Sequence, residues 1–296
     1  MHYRGRFAPS PTGPLHFGSV AAALASYLDA RHHQGEWLVR IDDLDKLRER
    51  PGSASQILTT LEHFGMQWDG DVVYQSQRLR LYQQALDELR DTGLIYGCNC
   101  SRKHIAKIAT AGIEGFIYPG RCRDLSICQS ESHSLRLRTN NLDTHFDDRI
   151  QGATTQRIES EVGDFLIRRG DGIYAYQLAV AVDDHEQGIT DIVRGDDLSF
   201  STPRQIYLQQ LLKLPHPTYA HFPLVMNADG SKLSKSSDAW PVDVKEPVTT
   251  LNHALSFFGQ RQVLADSVEE FWPQAIRQWD IEAVKGVMNH RCTQIL

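Results

Sequence analysis

The sequence predicts an α/β fold: a Rossmann-type parallel-sheet domain with an inserted α+β subdomain and a short helical C-terminal region. Three observations carry it. A strand–turn–helix–strand unit opens the chain, a cysteine-bearing stretch interrupts the α/β pattern, and that pattern resumes after residue 170. Residues 3–8 read as a strand feeding a Pro/Gly turn. Residues 19–33 read as a helix, with Val20, Leu24, Tyr27, Leu28 and Arg31 near one face and Gly35 as its stop. Residues 37–41 form a short apolar strand, so the unit is β-α-β, with parallel strands and a right-handed crossover. A second amphipathic helix covers 53–64 (Ile57, Leu58, Leu61, Phe64) and stops at Gly65. A third covers 78–92 (Leu79, Tyr82, Leu86, Leu89) and stops at Gly93.

From Cys98 to Gly170 short strands, polar loops and cysteines mix, and residues 135–138 and 165–168 alternate like half-buried strands. After the Gly170-Asp171-Gly172 turn, a helix is expected over 176–183 and a strand over 191–194. A further helix begins at Thr202-Pro203, where proline suits the first turn. Residues 221–226 read as extended, 227–230 as a turn, and 247–293 as helical. The expected divisions are 1–97 and 171–220 for the two halves of the parallel-sheet domain, 98–170 for the insertion, and 221–296 for the remainder.

The 296 residues are 41% apolar and 23% charged, the composition of a globular protein. No apolar run approaches the ~20 residues of a membrane span, and no apolar signal core precedes Arg6, so a cytoplasmic protein without a membrane partner is expected. A net charge of -6 gives no support to a basic nucleic-acid-binding chain, although one local basic face would suffice for such binding. Five cysteines, two of them one residue apart, argue against a disulfide framework and for a metal site or isolated thiols.

Two short segments carry the chemistry. The first is Arg6-Phe7-Ala8-Pro9-Ser10-Pro11-Thr12-Gly13-Pro14-Leu15-His16-Phe17-Gly18-Ser19; the second is Lys232-Leu233-Ser234-Lys235-Ser236. A strand-to-helix turn of small residues lets backbone approach a phosphate, and the helix N-terminus favours anions. His16 can donate to a phosphate oxygen while Lys232 and Lys235 neutralise the same charge from the far side. Alone, each segment reads as an ordinary surface loop. Together, in this order on an α/β chain, they suggest a clasp around a nucleoside triphosphate.

These segments resemble the His-Ile-Gly-His and Lys-Met-Ser-Lys-Ser signatures of class I aminoacyl-tRNA synthetases. The extended first segment is similar to the glutamyl branch specifically. So are Arg40-Ile41-Asp42-Asp43-Leu44-Asp45 and Tyr176-Gln177-Leu178-Ala179-Val180-Ala181-Val182-Asp183-Asp184-His185. So too is Asp191-Ile192-Val193-Arg194-Gly195-Asp196-Asp197-Leu198 with Ser201-Thr202-Pro203, and the likeness runs from about residue 4 to 240. The resemblance implies catalytic roles for His16, Gly18, Lys232 and Lys235, with ATP held at His16, Gly18 and Lys235 and Mg2+ accompanying the ATP. It implies a glutamate pocket of Arg6, Ala8, Ser10, Asp42, Tyr176 and Arg194. There Arg194, with Arg6, reads the side-chain carboxylate and Asp42 holds the ammonium. Arginine suits that task because it offers two parallel N–H donors to a planar carboxylate. Four positions depart from the family: Ser19 replaces the second histidine, Leu233 a methionine, Asp42 a glutamate and Leu198 a tryptophan.

Cys98, Cys100 and Cys122 offer three thiolates for a tetrahedral zinc, and on chemistry alone Cys128, His104 or Tyr118 could complete the set. The family pattern, Cys-x-Cys followed by Tyr-x-x-x-Cys, implies Tyr118 and a structural Zn2+ in the insertion. About sixty residues follow Ser236. That shortness resembles truncated glutamyl-tRNA synthetase paralogues, which activate glutamate without tRNA and esterify it onto queuosine at the wobble position of tRNA(Asp). The partners so implied are ATP, L-glutamate and the anticodon arm of tRNA(Asp) bearing queuosine, with the protein a monomer. The alternatives are a truncated synthetase charging a tRNA 3′ end, and a non-catalytic binding module. Modules of that kind commonly lose the residues corresponding to His16 and Lys235, both retained here.

Overall fold

The structure, a computed structural model, describes residues 2–112, 115–129, 133–224, 242 and 244–285. Lys232, Lys235 and the expected 227–230 turn lie outside the described residues. The chain opens with β1 (Arg4–Phe7), α1 (Phe17–His32), β2 (Glu36–Ile41), α2 (Ser53–His63), β3 (Val73–Tyr74), α3 (Leu79–Asp91) and β4 (Ile95–Cys98). The middle holds α4 (Arg102–Ile108), β5 (Thr110–Gly112), β6 (Gly115–Ile117), β7 (Ser134–Leu137), β8 (Asp143–Asp148), β9 (Gly152–Arg157), α5 (Ile158–Glu161) and β10 (Phe165–Arg168). It closes with α6 (Tyr176–Glu186), β11 (Asp191–Gly195), α7 (Thr202–Leu211), β12 (Thr218–Phe222), α8 (Pro247–Phe257), α9 (Val268–Gln278) and α10 (Ile281–Lys285).

β1 pairs in parallel with β2, and β2 with β3. β11 pairs in parallel with β12, which pairs in parallel with β8, and β9 closes that sheet antiparallel. The two sheets meet where Thr190, just before β11, donates its N–H to the Arg4 carbonyl (3.0 Å). The β8–β9 hairpin, from the stretch expected as an insertion, thus extends the sheet that carries β11. A separate antiparallel sheet, β4–β7–β10, packs with α3, α6 and α7 in a second core containing Tyr82, Leu86, Leu135, Ile167 and Leu178.

α1 departs from the one-sided burial its pattern suggests. Buried residues run round it, from Val20 and Leu24 to Ala21, Ala25, Ser26 and Asp29. The C-terminal helices cover its far side: Trp272 of α9 meets the Tyr27 ring edge-on (4.6 Å), and Trp279 Nε1 donates to Asp29 (3.1 Å). Asp29 also accepts from Tyr3 Oη (2.5 Å) and Arg149 (2.6 Å). Burial opposes ionisation of Asp29, but Arg149 holds its carboxyl below the usual range. Among the described residues, no helix is long and apolar enough to cross a membrane.

Two local expectations shift. Among the described residues the last strand lies at Thr218–Phe222, starting earlier than the extended run read at 221–226, because Pro217 and Pro223 bracket it and proline lacks a ladder donor. After α1 the left-handed residue is Gln34 (φ 55°), while Gly35 serves a close approach: a Cβ there would stand 2.4 Å from the Tyr3 carbonyl oxygen. Gly35→Ala is therefore expected to destabilise the fold by about 2–3 kcal/mol, as overpacking does. Urea unfolding would measure this, and an unchanged midpoint would mean that the Tyr3 backbone yields.

Candidate active site

A cleft of about 410 Å³ opens at the carboxyl ends of β1 and β11, between the N-termini of α1 and α6. Ligands of open parallel sheets bind in this crevice. Arg6, Ala8, Ser10, His16, Gly18, Tyr176 and Arg194 line it, together with Ser19, Asp197, Leu198 and Phe222. Seven of the eight described residues expected at the site thus share one cavity wall. The eighth, Asp42, is not among them.

The turn is built for close approach. Gly13 sits at φ 144°, a conformation L side chains rarely adopt, and Thr12 N donates to Ser10 O (2.8 Å). His16 caps α1: Nδ1 accepts from Ser19 N (3.3 Å), and Ser19 Oγ lies 3.2 Å from Nε2. The serine that replaces the family's second histidine therefore tethers the first. Gly18 makes room for that ring, since a Cβ would stand 3.2 Å from His16 Cε1.

Charge on the cleft floor is unevenly balanced. Arg6 donates to both Asp184 oxygens (3.2 Å each), and both side chains are buried. Behind them Arg40 donates to Asp42 (2.8 Å), to Asp184 (2.7 Å) and to Gln187 (3.0 Å). Asp42 is thus engaged by a protein cation, and burial, opposed by Arg40, pushes its carboxyl up to about 6. Arg194, by contrast, has only neutral partners among the described residues. Nε donates to His221 Nε2 (3.0 Å), and Nη2 to Thr202 Oγ1 (2.7 Å), Gln205 Oε1 (3.0 Å) and Leu198 O (3.3 Å). Its Nη1 is buried without a hydrogen-bond partner. Burial holds this guanidinium's pKa below its ordinary value. A buried cation with one orphaned donor beside a cleft suits an anionic ligand. The sequence reading missed the groups behind Arg194, because neither Asp148 nor His221 stands in a recognisable motif.

The cysteine cluster forms a second centre. The sulfurs of Cys98, Cys100 and Cys122 all lie within 4.8 Å of one another. Cys100 and Cys122 are 3.5 Å apart, and Tyr118 Oη lies 3.5 Å from Cys98 Sγ and 3.8 Å from Cys100 Sγ. Zinc–sulfur bonds of ~2.3 Å give a tetrahedron with edges of roughly 3.8 Å, so these donors fit. Cys128 is exposed and outside the group, and the His104 ring faces Arg121. The Arg136 guanidinium lies 3.8 Å over the Tyr118 ring and donates to Cys98 Sγ (3.3 Å), where it offsets thiolate charge. Burial works to raise the Cys98 thiol, yet hydrogen bonds with Tyr118 and Arg136 bring it below its ordinary value.

The family model of the catalytic domain of class I tRNA synthetases (E and Q) matches residues 2–257. The glutamyl-Q tRNA(Asp) synthetase of Dechloromonas aromatica (strain RCB) is 51% identical over 287 residues, covering 95% of each chain. That of Chromobacterium violaceum is 48% identical over 283 residues, also covering 95% of each. Among solved structures, a glutamate tRNA ligase from Elizabethkingia meningosepticum, crystallised with its amino acid, superposes with a TM-score of 0.81. It is 25% identical, and the match covers 98% of this chain and 67% of that one.

Proposed function

Because the chain belongs to the class I tRNA synthetases for glutamate and glutamine, and within them to the glutamyl-Q tRNA(Asp) synthetases, we propose that it activates glutamate with ATP and transfers it to queuosine of tRNA(Asp). The observation that carries the glutamate reading is the Arg194 guanidinium in the cleft wall, a donor bonded to no protein carboxylate among the described residues. That donor suits the side-chain carboxylate of glutamate. Ala8, Ser10 and Tyr176 line the same wall and shape the amino-acid end; Asp197 is the carboxylate in that wall, and Asp42 stands one layer behind, tied to Arg40.

In the first step a glutamate α-carboxylate oxygen attacks the α-phosphorus of ATP. The bond to pyrophosphate breaks, leaving glutamyl-adenylate. His16, held over the α1 N-terminus, and Gly18 receive the triphosphate, with Lys232 and Lys235 neutralising charge from the other side. Mg2+ bound with ATP supplies further neutralisation. In the second step a hydroxyl of queuosine's cis-diol attacks the acyl carbon, its proton passes to an oxygen of the adenylate phosphate, and AMP leaves with the electron pair. In the insertion, Cys98, Cys100 and Cys122, with Tyr118 beside them, would hold a structural Zn2+. A cytoplasmic location follows from these substrates.

Glutamate-driven exchange of pyrophosphate into ATP, measured without tRNA, tests the first step. Nuclease mapping of tRNA(Asp) charged with labelled glutamate tests the second. The label is expected in the anticodon-loop fragment. Label confined to the 3′-terminal adenosine would replace this reading with that of a truncated synthetase, and no exchange from a folded sample would end it.

A further inference from the structure

Three adjacent strands bring Arg194, His221 and Asp148 together. Arg194 of β11 is the register partner of His221 of β12, and β8 pairs alongside with Asp148 opposite Tyr219. His221 is fully buried and Asp148 nearly so. Asp148 Oδ2 accepts from His221 Nδ1 (2.5 Å). Its other oxygen accepts three backbone N–H groups, from Ile150 (2.9 Å), Gln151 (2.9 Å) and His221 (3.1 Å). That places the imidazole proton on Nδ1 and leaves Nε2 as an acceptor for Arg194 Nε (3.0 Å) and for the Thr202 hydroxyl (3.1 Å).

We propose that Asp148 and His221 form a buried positioning dyad, which orients Arg194 through a neutral acceptor so that the pocket selects an anionic side chain over its amide. A carboxylate in contact with Arg194 would orient it equally well but neutralise it, as Asp184 does for Arg6. Here the negative charge stands one residue farther away and is shared among four donors, three of them backbone amides. The guanidinium is held at Nε and Nη2 by neutral groups, and Nη1 keeps its full demand for an anion. Thr202 and Gln205 fix the plane of the fork, and the dyad fixes its rotation about that plane.

The inference rests on the glutamate reading, so the test has an arm that does not use activity. In tRNA-free pyrophosphate exchange, His221→Ala is expected to raise KM for glutamate about ten- to a hundredfold, the range for losing a hydrogen bond to a charged group. KM for ATP should stay within about twofold, and the preference for glutamate over glutamine should fall in step with the first effect. His221→Gln, whose carboxamide oxygen also accepts from Nε, should recover most of that loss. In Asp148→Asn, an amide facing Nδ1 forces the other tautomer, whose Nε2–H opposes Arg194 Nε–H; glutamate KM should rise even where His221→Ala does not fold. Independently, the 15N–1H signal of Arg194 Nε, assigned by its loss in Arg194→Lys, should be protected from exchange in the wild type and exposed in Asp148→Asn. Protection that persists in Asp148→Asn, or glutamate and ATP KM values rising together, would overturn the dyad. A wild type without glutamate-driven exchange but with a protected Nε signal lost in Asp148→Asn would instead remove the glutamate reading and keep the geometry.

Discussion

Arg194→Ala is expected to lower kcat/KM for glutamate in tRNA-free pyrophosphate exchange by about a thousandfold, the upper part of the range for truncating one side of a buried, hydrogen-bonded charge pair. The size follows from the surroundings. Arg194 is 5% exposed, and Arg6, the other cation expected at this carboxylate, is already bonded to Asp184. Without Arg194, the glutamate side chain would enter a desolvated wall with no free cation among the described residues to meet it. Arg194→Lys should rescue little. An ammonium is a point charge that cannot reach His221, Thr202 and Gln205 while also presenting a donor to the ligand. ATP binding, on the His16 side, should be retained in both variants. A loss of less than about tenfold, no more than a single neutral hydrogen bond is worth, would mean that another group holds the carboxylate.

Metal removal is the second large effect. Tyr96, Cys98, Tyr118 and Cys122 are the buried members of the cluster around the thiols, and α4 contributes no buried residue. With so little apolar burial among the described residues of this segment, a bound ion would supply much of what holds it in place. Structural zinc contributes on the order of 10 kcal/mol in small sites, so chelation should cut amide-exchange protection in this segment by at least about a thousandfold. α1, α6 and the β1–β2 pair belong to other cores and should keep theirs. Cys122→Ser should reproduce the effect, and Cys128→Ser should not, since Cys128 is exposed and outside the group. Protection unchanged by chelation of a sample shown to carry one zinc per chain would refute a structural role for the ion.

How much of this was legible depends on distance along the chain. The turn from Arg6 to Ser19 was readable because its chemistry is local: glycine at φ 144°, a capping imidazole, and a glycine beneath its ring. The thiol trio was readable because short spacing already brings ligands together. The placement of Asp42 was not. The family resemblance implied an ammonium anchor there, while the fold sets it against Arg40, a neighbour two residues away that local pattern does not weigh. The C-terminal helices read as a tail, yet Trp272 and Trp279 close the far side of α1.

The sequence by itself determined the α/β class, the strand–turn–helix that opens the chain, the candidate metal ligands and the family, because each is written in contiguous residues or short spacings. Only the tertiary structure decided which arginine meets a carboxylate and which meets neutral groups among the described residues. Arg6 and Arg194 are the same residue type at two strand ends. What separates them is the register of β11, β12 and β8, which sets neutral His221 against one, and the packing of α6, which sets Asp184 against the other. Pairing across 178 residues in one case and 27 in the other is settled by which backbones hydrogen-bond side by side, and no local pattern encodes it.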